Sequence, residues 1–169
     1  MNEPVAVQFA ALKASDEMIV KGWLREHLRT HIAWWVSSTG PAWTTERVDA
    51  HIDEYQLLSL DWDEMIQDVG KPDRFCMMAW REDKPLGLVY GGSREDRYFC
   101  GKKGHLGWIF VDSAQRGRGV GRLLMEWTEH WYRSQGISLR EIFVTQENRR
   151  AIELYEATGY HIVDLRMLR

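Results

Sequence analysis

Cysteine is scarce in this chain of 169 residues: Cys76 and Cys100 are the only two, and they stand at no metal-ligand spacing. Neither a disulfide scaffold nor a cysteine metal site is expected, which suits a reducing cytoplasm. Cys76 lies in an apolar run and reads as a small buried hydrophobe. With four prolines and no low-complexity run, the chain offers no linker that would divide it. It has no run of about 18 apolar residues to cross a membrane. The basic start and apolar core of a secretion signal are missing too. The expectation is one soluble cytoplasmic domain, large enough at this length and 44% hydrophobic content to bury a substantial core.

A broad basic face is also lacking. The formal net charge is −3, but residues 44–73 hold nine acids (Glu46, Asp49, Asp53, Glu54, Asp61, Asp63, Glu64, Asp68, Asp73) against Arg47 and Lys71. That segment carries −7 and the remainder +4. Such polarity argues against nucleic-acid binding and fits an anionic ligand on one side and a cationic one on the other. Tryptophan, by contrast, is abundant, with nine residues. Most are expected to pack, though Trp34, Trp35, Trp43, Tyr55 and Trp62 lie in or beside the acidic segment, where aromatic faces and carboxylates suit an ammonium group.

The pattern predicts a first strand at Val5–Ala10, then a helix capped by Ser15 that runs to about Val36 and ends before Gly40-Pro41. A second helical stretch starts near Thr44 or Thr45 and reaches Gly70, broken or unbroken. Strands follow at Arg74–Trp80, Leu86–Gly91 and His105–Val111, with a charged loop from Ser93 to Lys103. A helix fed by the turn at residues 117–121 places Val120, Leu123, Leu124, Trp127 and Trp131 on one face and closes at Gly136. Glu141–Thr145, Asn148–Thr158 and Tyr160–Met167 complete the order as strand, helix and strand. The class is mixed α/β.

Between the third strand and its helix lies the most informative segment, Val111 to Leu124. Gly117, Gly119 and Gly121 alternate with Arg118 and Val120, and Arg116 and Arg122 flank them. Glycines at a strand-to-helix turn let backbone N–H groups converge on a phosphate at the positive end of the helix. Two common phosphate motifs fail here. No lysine follows the glycines as a Walker A loop needs, and G-x-G-x-x-G would place a glycine where Arg122 or Leu124 stands. A tight turn with merely solvated arginines is the remaining alternative.

A second motif follows: Asn148, Ala151, Leu154, Tyr155, Gly159 and Tyr160 fit Asn-x-x-Ala-x-x-Leu-Tyr-x-x-x-Gly-Phe/Tyr. Together with Arg116, Gly119 and Gly121 as R/Q-x-x-G-x-G/A, this resembles the GCN5-related N-acetyltransferase (GNAT) family over residues 104–160. Residues 11–73 match only as two helices. The resemblance implies a GNAT-like fold: a mixed, mostly antiparallel sheet with a splayed parallel strand pair, flanked by helices. A chain ending soon after its last strand is expected to be a complete domain.

The resemblance also implies roles. Acetyl-CoA, as co-substrate and without a metal, lies between the strands Leu106–Val111 and Glu141–Thr145. Backbone N–H groups of Arg116, Gly117, Arg118, Gly119, Val120 and Gly121 receive its pyrophosphate, where side chains would block the approach. Backbone groups along Ile109, Phe110 and Val111, those of Ile109 and Val111 above all, pair with the pantetheine arm, and a β-bulge aims an N–H at the thioester carbonyl. Asn148 is a ligand contact, a helix N-cap, or both. Lys102, Lys103, Arg149 and Arg150 are candidates for the outer phosphate, or solvated surface cations. Tyr155 protonates the departing thiolate, or is a core tyrosine.

The base is less determined. An amine of pKa about 10.4 is only about 0.04% neutral at pH 7. Residues 105–111 hold no carboxylate; His105 stands near the place of the family's glutamate, with Asp112, Glu141 or a water chain as alternatives. The function implied is N-acetylation of a small cationic molecule, aminoglycoside- or polyamine-like, or of a peptide amine. The alternative is an acyl-CoA-binding or sensing domain without turnover. A homodimer is compatible with either.

Overall fold

The computed structural model describes residues 6–98 and 100–164. Five strands form one sheet in the order β1 (Gln8–Ala11), β2 (Arg74–Arg81), β3 (Lys84–Asp96), β4 (Gly101–Val111) and β5 (Leu139–Ile142). The first three pairings are antiparallel, and β4–β5 is parallel. Five helices accompany them: α1 (Glu17–Thr39), α2 (Thr45–Glu54), α3 (Leu57–Asp68), α4 (Val120–Ser134) and α5 (Arg149–Ala157). The contacts group into two units, one made of the chain up to Asp16 with Glu64–Phe143, the other of Glu17–Asp63 with the chain from Val144.

In the sheet unit, β2 and β3 pair from Arg74↔Gly92 to Arg81↔Lys84 around a turn in which Glu82 takes a positive φ of 53°. The expected charged loop after Ser93 is largely strand. The ladder of β3 and β4 continues through Arg94↔Lys103 and Glu95↔Lys102 to Asp96↔Gly101. Glu95 opposes Lys102, and Lys103, set opposite the like-charged Arg94, is bridged instead to Asp96 at 2.7 Å, so a polar run persists as strand where alternation of apolar residues has stopped. α4 covers one face of the sheet. Its buried stripe is Val120, Leu124, Met125, Thr128 and Tyr132. Trp127 and Trp131, expected on that stripe, flank it instead and close an aromatic cluster: Trp127 stacks on Phe9 at 5.8 Å, and Trp131 meets Phe75 edge-on at 4.8 Å.

In the helical unit, α1 buries Val20, Trp23, Leu24 and Leu28 at helical spacing. In the sheet unit, the chain before α1 forms a short 3-10 turn at Ala14–Asp16 rather than a cap by Ser15, with the Lys13 N–H donating to Asp16 at 2.9 Å. Thr44 caps α2 through the Arg47 N–H. Gln56, at φ 51°, breaks the second stretch into α2 and α3. The last expected strand is not formed at 160–164, and residues 165–167 lie outside those described.

Candidate active site

β4 supplies the first half of the candidate site. Its ladder with β5 covers only Lys103↔Leu139 to Leu106↔Ile142, after which the two strands part. At the parting, Gly107 is an extra residue on β4: Tyr90 pairs Trp108, while Gly91 pairs Leu106. This is the expected β-bulge. Beyond it the backbone alternates. The Asp112 N–H donates to Leu86 O at 2.9 Å, on the β3 side. Phe110 therefore also faces β3, and the N–H and C=O groups of Ile109 and Val111 point the other way. Val111 O already accepts from Arg116 Nε at 3.1 Å, and the Arg116 guanidinium lies 5.3 Å from the Phe110 ring centre.

The turn supplies the second half. Asp112 caps a 3-10 turn at Ser113–Gln115, accepting from the Ala114 N–H at 3.0 Å. The chain then passes Gly117 at φ 76° and Gly119 at φ 81°, the latter serving as N-cap of α4. Among the described residues, no atom crowds the space a Cβ would take at either glycine. Both are needed for a left-handed backbone, a requirement of the turn itself. From there α4 presents its first N–H groups, which have no intrahelical acceptor, along with the positive end of its dipole.

α5 lies in the helical unit. Asn148 caps it, accepting from the Ala151 N–H at 3.3 Å. At the other end Gly159, at φ 94°, allows Tyr160 N–H to reach Tyr155 O and Gly159 N–H to reach Glu156 O, each at 3.0 Å. This is a Schellman ending, and its hydrophobic contact is the Tyr155–Tyr160 ring pair at 6.3 Å. Tyr155 is 8% exposed, and burial pushes its hydroxyl above the usual tyrosine range. The spacing of Asn148, Tyr155, Gly159 and Tyr160 thus follows from one capped helix. Upstream, Asn148 N–H donates to Thr145 O at 2.9 Å, while Thr145 Oγ1 lies 3.1 Å from His31 Nδ1 on α1.

The model of the acetyltransferase (GNAT) family matches residues 22–160. The chain belongs to this family. Among solved structures, the GNAT fold here resembles the PaiA N-acetyltransferase of Thermoplasma acidophilum in complex with coenzyme A, at TM-score 0.71 and 14% identity over 95% of this chain and 93% of that one. It is similar to the aminoglycoside N-acetyltransferase AAC(6')-Iy in complex with a bisubstrate analogue, at 0.65 and 16% over 97% of each. It also resembles the glucosamine-6-phosphate N-acetyltransferase of Arabidopsis thaliana, at 0.58 and 21% over 97% of each. At such identities the likeness is one of fold. No curated protein matches significantly.

β4 and the α4 turn thus offer a row of outward peptide groups and the unpaired N–H groups of a helix start. The surrounding charges differ from expectation. Lys103 Nζ is held by Asp96 at 2.7 Å and Glu141 at 2.9 Å, which commits it away from a phosphate. Glu141 also accepts from Arg94, and its Oε1 lies 3.5 Å from His105 Nδ1. Burial opposes ionisation of Glu141, but Lys103 and Arg94 outweigh it and hold the carboxyl below its usual pKa. Burial pushes the His105 imidazole down, against the pull of Glu141. Sequence reading named His105 and Glu141 as separate candidates for the base but missed this network, whose members are brought together by strand pairing.

The acidic segment is more neutralised than its composition implied. Arg29 Nε holds Asp49 at 2.6 Å and Arg25 holds Asp53 at 2.6 Å, both reaching from α1. Asp68 pairs with Lys71 at 2.6 Å and Asp73 with Arg74 at 2.9 Å. The Tyr90 hydroxyl donates to Asp68 and lies 2.9 Å from Glu64. Of the aromatics, Trp62 is buried, Trp43 lies under the Arg47 guanidinium at 4.1 Å, and Tyr55 is 55% exposed.

Proposed function

We propose that this chain is an acetyl-CoA-dependent N-acetyltransferase acting on a primary amine of a small cationic molecule or a peptide. The observation that carries the reading is the outward edge of β4 at Ile109 and Val111, released from β5 at the Gly107 bulge and running into the positive-φ turn at Gly117 and Gly119. Ile109 and Val111 would hold the pantetheine arm as an added strand. Residues 116–121 would take the pyrophosphate with backbone N–H groups. Acetyl-CoA supplies an activated acetyl thioester. Near the bulge an N–H serves as oxyanion donor, a contribution of about 3–4 kcal/mol at such sites.

Tyr155 gives its proton to the departing thiolate. Its burial keeps the phenol protonated across the working range, as a donor requires. His105 takes the proton of the amine. Asn148 acts through α5 as its cap. An amine acceptor is supported by the amine substrates named for structural relatives. The test is thiol release from acetyl-CoA with aminoglycosides, polyamines and N-terminal peptides. Amine-dependent release supports the reading. Coenzyme A binding without release by any amine leaves a non-catalytic acyl-CoA-binding domain.

A further inference from the structure

His105 and Glu141 face each other one rung before β4 and β5 part. Gly104 and Arg140, their neighbours, turn toward α4: a Cβ on Gly104 would come 2.5 Å from the Tyr132 ring, and Arg140 pairs with Glu129 at 3.1 Å. Alternation therefore sends His105 and Glu141 to the opposite face of the sheet. Arg94, Asp96 and Lys103 join them there through their contacts, and the exposed Phe143 ring lies 5.6 Å from the imidazole. His105 Nδ1 is shut off from solvent and has no partner in good hydrogen-bond geometry among the described residues, yet a third of the side chain is open. The nearest carboxylate to Nδ1 is Glu141 Oε1, at 3.5 Å. An orphaned buried nitrogen beside an ionised carboxylate, on a ring whose other edge is open, calls for a functional reason.

We propose that Glu141 is the positioning residue for His105: it receives the Nδ1–H and turns Nε2 toward the acceptor amine. The role presupposes the acetyl-transfer reading. As the acceptor enters, Nε2 takes one proton from its ammonium group and the imidazolium closes on Glu141. The freed lone pair forms the C–N bond and the C–S bond breaks. The second proton lost by nitrogen passes to solvent, sulfur takes its proton from Tyr155, and the site resets as Tyr155 is reprotonated from solvent and His105 releases its proton to it. Arg94 and Lys103 have opposing duties here. They keep Glu141 ionised, and Arg94 competes with His105 for Oε1.

The charged groups facing His105 are Glu141 on β5, Arg94 on β3 and Lys103 on β4. Two substitutions should therefore move its titration in opposite directions. Glu141→Gln removes the anion that favours imidazolium, so the acid limb of kcat/KM shifts down by about one pH unit and kcat falls about tenfold. Arg94→Gln removes a cation and frees Oε1, so the limb shifts up. The same shifts are read without turnover from the ring nitrogens of His105 by long-range 1H–15N NMR, assigned with His105→Gln, while melting curves verify folding. Opposite shifts of the His105 resonances establish the pair. Superimposable titrations in all three proteins overturn it, whether or not any amine is acetylated. Loss of acetylation by the wild type with intact NMR shifts would instead overturn the acetyl-transfer reading alone.

Discussion

Gly119 and Gly104 are both glycines for steric reasons, and the reasons differ. Gly119 needs its φ of 81°, whereas Gly104 leaves room for the Tyr132 ring. Gly119→Ala should cost about 1 kcal/mol in the turn and weaken coenzyme A binding. Gly104→Ala should cost about 1–3 kcal/mol by overpacking, with little effect on binding per folded molecule. Melting curves and titration calorimetry separate the two. Tyr155→Phe removes the proposed donor but leaves the apolar ring, so kcat should fall at least about 100-fold with coenzyme A affinity unchanged. Because burial raises the hydroxyl pKa, wild-type activity should show no alkaline limb from this group at or below the usual tyrosine value. Full activity of the Phe variant across the pH range would exclude Tyr155 as the acid.

At the scale of elements, α1 carries an acid sensitivity of its own. His27 stacks on His31 at 5.5 Å, and burial with the neighbouring imidazole pushes His27 down to about 4. In the unfolded chain it titrates near 6.5, so between these values the unfolded state binds more protons. Stability should therefore fall as pH drops from 6.5 toward 4, by at most about 3 kcal/mol from this group. Denaturant melts from pH 7 to pH 4 measure it, and His27→Leu should flatten the slope. The elements also differ in how far the sequence reveals them. The α4 turn and both ends of α5 are legible because Gly119, Asn148 and Gly159 answer local backbone demands. The β3–β4 extension and the meeting of His105 with Glu141 are not. They depend on register between strands 36 positions apart in sequence, and charged residues on a ladder look the same as charged residues in a loop.

For the whole molecule, ligand linkage gives the broadest test. A ligand bound only by the folded chain at 100 times its Kd adds about 2.7 kcal/mol, so coenzyme A should raise the melting temperature by several degrees, while ATP and NAD should not. The charge distribution teaches a related lesson. The composition of residues 44–73 pointed to an acidic face, but Arg25 and Arg29 reach in from α1 and offset Asp49 and Asp53. Segment charge overstates local potential whenever a neighbouring helix supplies the counter-ions.

The parting of β4 and β5 has a meaning beyond catalysis. From Gly107 to Val111 one side of β4 is a row of peptide groups that no strand among the described residues matches. Such a row is a template for any extended chain, another copy of the protein included. On the reading proposed here, the acetyl donor doubles as the plug for an open sheet, and its supply governs the lifetime of the protein as well as its turnover.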